Sequence, residues 1–206
     1  MRLPVLALLV LINCQNFGNF WDAPDNSGKN KPPVAPVKKR MFLHTSPTVG
    51  GNLGGIAGAD ATCNASAQRP DITVTYAALI ADGTARRACV NPNCTDPGEN
   101  IGWVLKPNAI YLQAAGTVQI ATTNSAGIFT FPLSAAPSAS AGFYLSGLNP
   151  DWTTGQICVG AGGNWSGTMS ATNCHGGQAG AFDATSIQNG IVGCTSATNY
   201  LLCVEQ

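Results

Sequence analysis

Eight cysteines in 206 residues constrain this chain more than any other feature. That density points to an oxidising compartment and to a fold held by covalent staples. The spacings do not suit zinc. No C-x2-C pair occurs, and His44 and His175 are the only imidazoles to complete a ligand set. Cys89 and Cys94 flank Val90-Asn91-Pro92-Asn93, so they are placed to close a small loop around a proline turn. Length allows one ordinary domain with a leader and a linker, and 45% hydrophobic residues suffice for a core. Charged residues are only 10%, far below the roughly 25% of ordinary globular chains. From Met41 onward Arg69, Arg86, Arg87 and Lys106 face Asp60, Asp71, Asp82, Asp96, Glu99, Asp151, Asp183 and Glu205. This mildly acidic balance argues against nucleic acid, heparin or an anionic membrane surface as the domain's direct partner.

The N-terminus reads as an export signal. Arg2 precedes an almost wholly apolar stretch over residues 3–12, too short to span a bilayer, which needs about 20 residues. Leu11-Ile12-Asn13-Cys14 follows at once and resembles a lipobox, with Asn13 where a small Gly or Ala is usual. The reading is a lipoprotein signal peptide over 1–13 and acylation of Cys14, the membrane being engaged through that lipid. Residues 14–40 form a disordered tether with Pro24, Pro32, Pro33 and Pro36, Trp21 and several lysines. A single domain follows over 41–206.

Within the domain, residues 41–46 read as a strand. A glycine-rich loop over 50–55 leads into a helix over 56–68, where Ile56, Ala59, Cys63 and Ala67 share a face. Residues 76–82 read as a second helix ending at Gly83. Strands are expected at 109–113, 118–122, 128–131, 143–146 and 199–205, and the glycine-, serine- and asparagine-rich stretch 160–189 as mostly loop.

These segments carry a resemblance. Gly51-Asn52-Leu53-Gly54-Gly55-Ile56-Ala57-Gly58-Ala59-Asp60-Ala61-Thr62-Cys63 resembles the opening of endostatin, where a Gly-Ile-Arg-Gly-Ala-Asp run leads into a cysteine on the first helix. Tyr76-Ala77-Ala78-Leu79-Ile80 is similar to its second-helix segment. Cys194 and the ending Tyr200-Leu201-Leu202-Cys203-Val204-Glu205 are similar to its last strand, and Cys158 with Trp165 to its inner cysteine and following tryptophan. Together with the lipobox, these features resemble the leptospiral endostatin-like outer-membrane lipoproteins, whose domain is of the endostatin/C-type-lectin-like kind (DUF1554). The resemblance implies an α+β fold: two helices, a small mixed and mostly antiparallel sheet, long loops and disulfide staples. It implies nested bridges, Cys63–Cys203 outside and Cys158–Cys194 inside. The outer one closes a long loop worth about 4–5 kcal/mol in the chain-entropy picture. Cys174 is then odd, with three fates open to it: a free thiol, competition with Cys158 for Cys194, or a link between chains.

Catalytic readings fare poorly. No glycine triple in 50–58 fits G-x-G-x-x-G, and no Gly-Lys-Ser/Thr follows. Cys174-His175 suggests a thiol nucleophile, but neighbours on an extended chain point opposite ways and no acid lies close in sequence. Ser166 sits one position off a G-x-S-x-G elbow. The Glu-Pro-Asn and Trp-Asn-Asp signatures of calcium-dependent sugar binding are missing, as are endostatin's zinc ligands and heparin-binding arginines. Trp165 reads as core. Trp152, in a turn-rich stretch, is either a buried loop anchor or an exposed contact residue.

The expectation is a non-enzymatic protein without metal or cofactor, lipid-anchored in the outer membrane and displayed on the cell surface. The resemblance implies an adhesin for host matrix proteins (laminin, fibronectin) and possible complement regulators among plasma proteins. The alternatives are a calcium-independent glycan-binding module and a structural lipoprotein facing the periplasm.

Overall fold

A computed structural model describes residues 35–46, 50–167, 173–196 and 199–206. The leader over 1–13, Cys14, Trp21 and the tether up to residue 34 lie outside the described residues.

The architecture follows from strands that are apolar on both faces. Strand β1 (Lys38–His44) is buried from Met41 onward and β10 (Leu201–Glu205) from Leu201 to Val204. Alternation sends their side chains to opposite sides. Met41, Leu43, Leu202 and Val204 join one apolar cluster, and Phe42, Leu201 and Cys203 join the other. The two strands pair antiparallel, Met41 opposite Val204 and His44 opposite Leu201. β2 (Tyr76–Ala78) adds to the free side of β10, with Ala78 opposite Cys203. β3 (Ile110–Gln113) lies parallel to the first half of β1, and β4 (Gln119–Thr122) closes the far edge. The five-stranded order is β2-β10-β1-β3-β4.

Each face has its own cover. The helix α1 (Gly55–Ala65) presents Ala59 and Cys63 to one cluster, beside Tyr76, Ile80 and Trp165. The other cluster is capped by irregular chain carrying Trp103, Phe129 and Trp152 around Tyr111. A hairpin of β6 (Val159–Gly160) and β7 (Gly163–Asn164) and a three-stranded sheet complete the fold. The latter has β8 (Asn173–Gln178) between β5 (Phe143–Leu145) and β9 (Ile191–Gly193).

The expected two-helix α+β fold with a small sheet is therefore overturned. The described residues hold a single α-helix and ten strands in several sheets, mostly β, with three disulfides. Residues 76–82 are not a helix. Tyr76, Ala78 and Ile80 face one cluster while Ala77, Leu79 and Ala81 face the other. An unbroken apolar run is what a strand buried on both faces needs, and its periodicity does not separate it from a buried helix. Residues 128–131 form no strand; Ile128 instead closes a turn, its carbonyl accepting from the Asn124 N–H at 2.9 Å. Stretch 160–189, expected as mostly loop, contains β8. Its glycines are required by packing: a Cβ at Gly177 would lie 2.3 Å from the Ser186 carbonyl and 2.8 Å from the Tyr144 ring.

Strand β1 starts at Lys38, three residues before the boundary read from the sequence. Its basic start looks like linker, but Arg40 is structural. Its Nε donates to Glu205 at 2.9 Å and its Nη2 to Asp71 at 3.0 Å. The Thr73 hydroxyl and N–H, followed by Arg40, hold the Asp71 carboxyl down to about 2.

Two outcomes are expected. Replacing Cys63 and Cys203, separated by 140 residues, with Ala is expected to lower unfolding free energy by about 4–5 kcal/mol in urea titrations at neutral pH. Because the folded-state pKa of Asp71 is depressed, its stabilisation is present above the unfolded-state value and is lost as pH falls towards about 2. Asp71→Asn is expected to melt below wild type at pH 6, the gap closing as melts are repeated down that acid range.

Candidate functional site

In the loop layer lies a cleft of about 430 Å³ lined by Asn93, Thr95, Asn124, Phe129, Thr130, Phe131 and Pro150, with Ile128 and Ala184. No lining residue is charged. The Cys89–Cys94 disulfide closes the turn that carries Asn93, which adopts φ 52°. Asparagine tolerates this left-handed conformation better than most residues. The Asn93 N–H donates to the Asp151 carbonyl at 2.8 Å, tying this turn to the opposite wall. Glu99 holds the outer side by accepting the N–H groups of Val90 (2.8 Å) and Asn91 (2.7 Å). The Asn91 donors, led by its backbone N–H, keep the Glu99 carboxyl below its ordinary range. Asn124 joins the walls: its Nδ2 donates to the Cys94 carbonyl at 2.9 Å and its Oδ1 accepts from Ala126 and Ile128. Ser125 Oγ reaches the Thr95 carbonyl at 2.5 Å.

Beneath these loops lies an aromatic stack. Phe131 is parallel to Trp152, with centroids 5.8 Å apart and planes at 5°. Trp152 meets Trp103 and Phe129 edge to face. Its indole N–H donates to the Phe129 carbonyl at 3.1 Å, and that of Trp103 to Gly127 at 2.8 Å. Asn93, Thr95, Thr130 and Pro150 are exposed while Phe129 is buried. The cleft presents the exposed Asn93 amide and the Thr95 and Thr130 hydroxyls over an apolar floor, with no ionisable side chain among its lining residues.

A second concavity of about 520 Å³ lies at the start of α1, against Asp60, Asp82, Thr84 and Asn164. Its carboxylates are occupied by the fold. Arg86, itself buried, donates to both Asp60 oxygens at 2.8 and 2.7 Å. Burial pushes the Asp82 carboxyl up, but the N–H groups of Arg86, Thr84 and Ala85 outweigh it and hold the group below its ordinary value. Asp60 is thus paired through both oxygens with Arg86, and Asp82 Oδ1 is taken by three backbone N–H groups.

The residues singled out from sequence fall as follows. Trp152 is not an exposed contact: it is fully buried. It adopts φ 70° in a turn where its N–H donates to the Asn149 carbonyl, and the indole packs inward into the aromatic stack. A bulky residue in that region is strained, and the burial of its ring holds it there. Trp165 is buried beside the inner disulfide, its N–H on the Cys158 carbonyl at 2.7 Å and its indole N–H on Ala81 at 2.9 Å. The structure joins Cys63 to Cys203, Cys158 to Cys194 and Cys89 to Cys94, leaving Cys174 as a buried free thiol. Burial pushes that thiol up to about 12. The Nδ1 of His175 lies 3.0 Å from the Leu148 carbonyl. In the 50–55 loop the N–H groups of Gly51, Leu53 and Gly55 bind the carbonyls of Cys194 and Trp165, so they cradle no phosphate. The only grouping of three possible metal ligands among the described residues is Cys158, Cys174 and Cys194, two of which share a disulfide. Nothing in the sequence marks Asn93, Thr95, Thr130 and Phe131 as a site. The one available signal was the proline turn between Cys89 and Cys94.

A model for the family described as protein of unknown function (DUF1554) matches residues 46–185. No curated protein matches the chain.

Trp152→Ala is expected to cost about 3–5 kcal/mol of stability in denaturant titrations, the range for truncating a buried aromatic. Protection in hydrogen exchange of the Asn93 amide, bonded to the Asp151 carbonyl, and of the Asn149 amide, bonded to the Thr153 carbonyl, is expected to fall with it.

Proposed function

Since the chain belongs to the DUF1554 family, whose function is unknown, we propose from its own residues that it is a lipid-anchored outer-membrane protein displayed on the cell surface, which works as an adhesin by binding rather than by catalysis. The short apolar leader with Cys14 supports the anchor. The sequence likeness to the leptospiral endostatin-like lipoproteins supports laminin, fibronectin and complement regulators as partners. The braced, uncharged cleft between Asn93 and Phe131 carries the reading. It is held by a disulfide, an aromatic stack and amide side chains before any ligand arrives, which lowers the ordering cost of binding.

A second reading is favoured by one observation. Neutral amides and hydroxyls over an aromatic floor, without a carboxylate among the lining residues, suit an uncharged glycan bound without calcium.

The test has two stages. Protease added to intact cells is expected to clip the domain while a periplasmic marker survives. Protection until lysis, with the purified domain shown to be cleavable, overturns surface display and leaves a structural periplasmic lipoprotein. The purified chain is then offered to immobilised laminin, fibronectin and complement regulators. A Thr95→Arg/Thr130→Arg variant, altered only at exposed rim positions, is expected to bind at least about tenfold more weakly, a change of about 1.4 kcal/mol. Equal binding by the variant removes the cleft from the proposal. Competition by free sugar that survives chelator selects the glycan reading.

A further inference from the structure

The inner disulfide has a third sulfur beside it. The Sγ atoms of Cys158, Cys174 and Cys194 all lie within 4.8 Å of one another, and all three residues are buried. Three separate segments bring them together. Cys174 sits on β8 opposite Val192 of β9, and Cys194 follows two residues beyond Val192. Cys174 and Val192 share a face across the ladder, and Cys194, in the turn after Gly193, enters the same buried cluster. Cys158 arrives on the chain entering β6, where the neighbouring Gln156 carbonyl accepts the His175 N–H at 2.8 Å. The Cys174 thiol has only a weak tie, to the Val192 carbonyl at 3.7 Å.

We infer that Cys158, Cys174 and Cys194 form a disulfide-exchange site, in which the thiol of Cys174 can replace either partner of the Cys158–Cys194 bridge. The reaction needs no outside oxidant. Local opening of the β8–β9 edge admits hydroxide, which takes the Cys174 proton, and the thiolate attacks Sγ of Cys194. A Cys174–Cys194 bond forms as the Cys158–Cys194 bond breaks. The electron pair leaves on Cys158, which takes up a proton. Attack on Cys158 releases Cys194 by the same balance. An internal thiol is the favoured attacker because the bridge is covered from the glycine loop. A Cβ at Gly51 would lie 2.3 Å from Cys158 Cβ and 2.4 Å from its Sγ. Burial holds the thiol protonated at neutral pH. Exchange is therefore slow there and rises with alkali as the thiolate fraction grows. The swap loosens either the β6–β7 hairpin or the chain after β9, and the other two disulfides take no part. This site is independent of the adhesin reading and stands or falls without it.

The experiment uses the full oxidised chain. In Cys158→Ser, peptide mapping after alkylation is expected to find a Cys174–Cys194 crosslink, and in Cys194→Ser a Cys158–Cys174 crosslink. Two alkylated cysteines in either variant, with Cys63–Cys203 intact as the mark of folding, overturn the proposal. Wild type supplies the measurement if a variant does not fold. Held near pH 9, quenched in acid, alkylated in denaturant and mapped, it is expected to move part of the label from Cys174 to Cys158 or Cys194. Label confined to Cys174 of these three, or label movement only together with scrambling of Cys63–Cys203 and Cys89–Cys94, overturns a local exchange site.

Discussion

The antiparallel pair of β1 and β10 is the constraint from which the rest of the structure follows. Both strands are apolar on both faces, so neither face can be left to water. One face receives α1, and the other receives irregular chain that must itself carry large side chains. Cys203 stands at the centre of this arrangement. It lies between Phe42 and Ala78 in register and is bonded to Cys63 on the helix. The bridge thus fastens the helical layer to the strand that also anchors the chain's end. With 10% charged residues, the protein has little surface charge to set against this apolar interior. Neutral polar loops are what remain to cover it.

Those loops are ordered because side chains stand in for missing ladder bonds. Buried backbone groups must find partners whether or not regular structure supplies them. Asn124 satisfies two N–H groups and one carbonyl from three positions, and Asp82 caps three consecutive N–H groups. Arg86 donates to Asp60, to the Ala78 carbonyl and to that of Gly102. Removing one member of such a network leaves its partners buried and unpaired, which costs more than the bond itself contributes. The polar side chains of Asp82, Arg86 and Asn124 are thus what make the shape of this irregular chain definite.

Legibility in the sequence follows from how local each signal is. The first helix was readable because Ile56, Ala59 and Cys63 repeat at helical spacing on a single apolar face, though it stops at Ala65 and leaves Ala67, read onto that face, exposed beyond its end. The last strand was readable because Tyr200 to Val204 run between polar neighbours at the chain's end. Residues 76–82 gave the wrong element, since burial on both faces erases the alternation that marks a strand. β8 was missed because its Gly176 and Gly177 are chosen for clearance against Tyr144, not for strand propensity. Of the candidate cleft, only the turn between Cys89 and Cys94 left a trace. Phe131 becomes part of a floor only through Trp152, twenty-one positions away and brought beneath it by tertiary packing.

The three staples divide the work by scale. In the chain-entropy picture, separations of 140, 36 and 5 residues correspond to roughly 5, 4 and 2 kcal/mol. The longest secures the overall topology. The middle one ties the β6–β7 hairpin to the chain after β9. The shortest contributes least to global stability, yet it closes the turn that sets one wall of the cleft. A bond that adds little to folding but fixes two exposed polar residues, Asn93 and Thr95, acts on pre-organisation, where its effect on affinity can exceed its effect on stability. That asymmetry sets the turn at Cys89–Cys94 apart from the other two staples: it orders exposed polar residues over Trp152, whereas the glycine-rich entry to the helix spends its N–H groups on the carbonyls of Cys194 and Trp165.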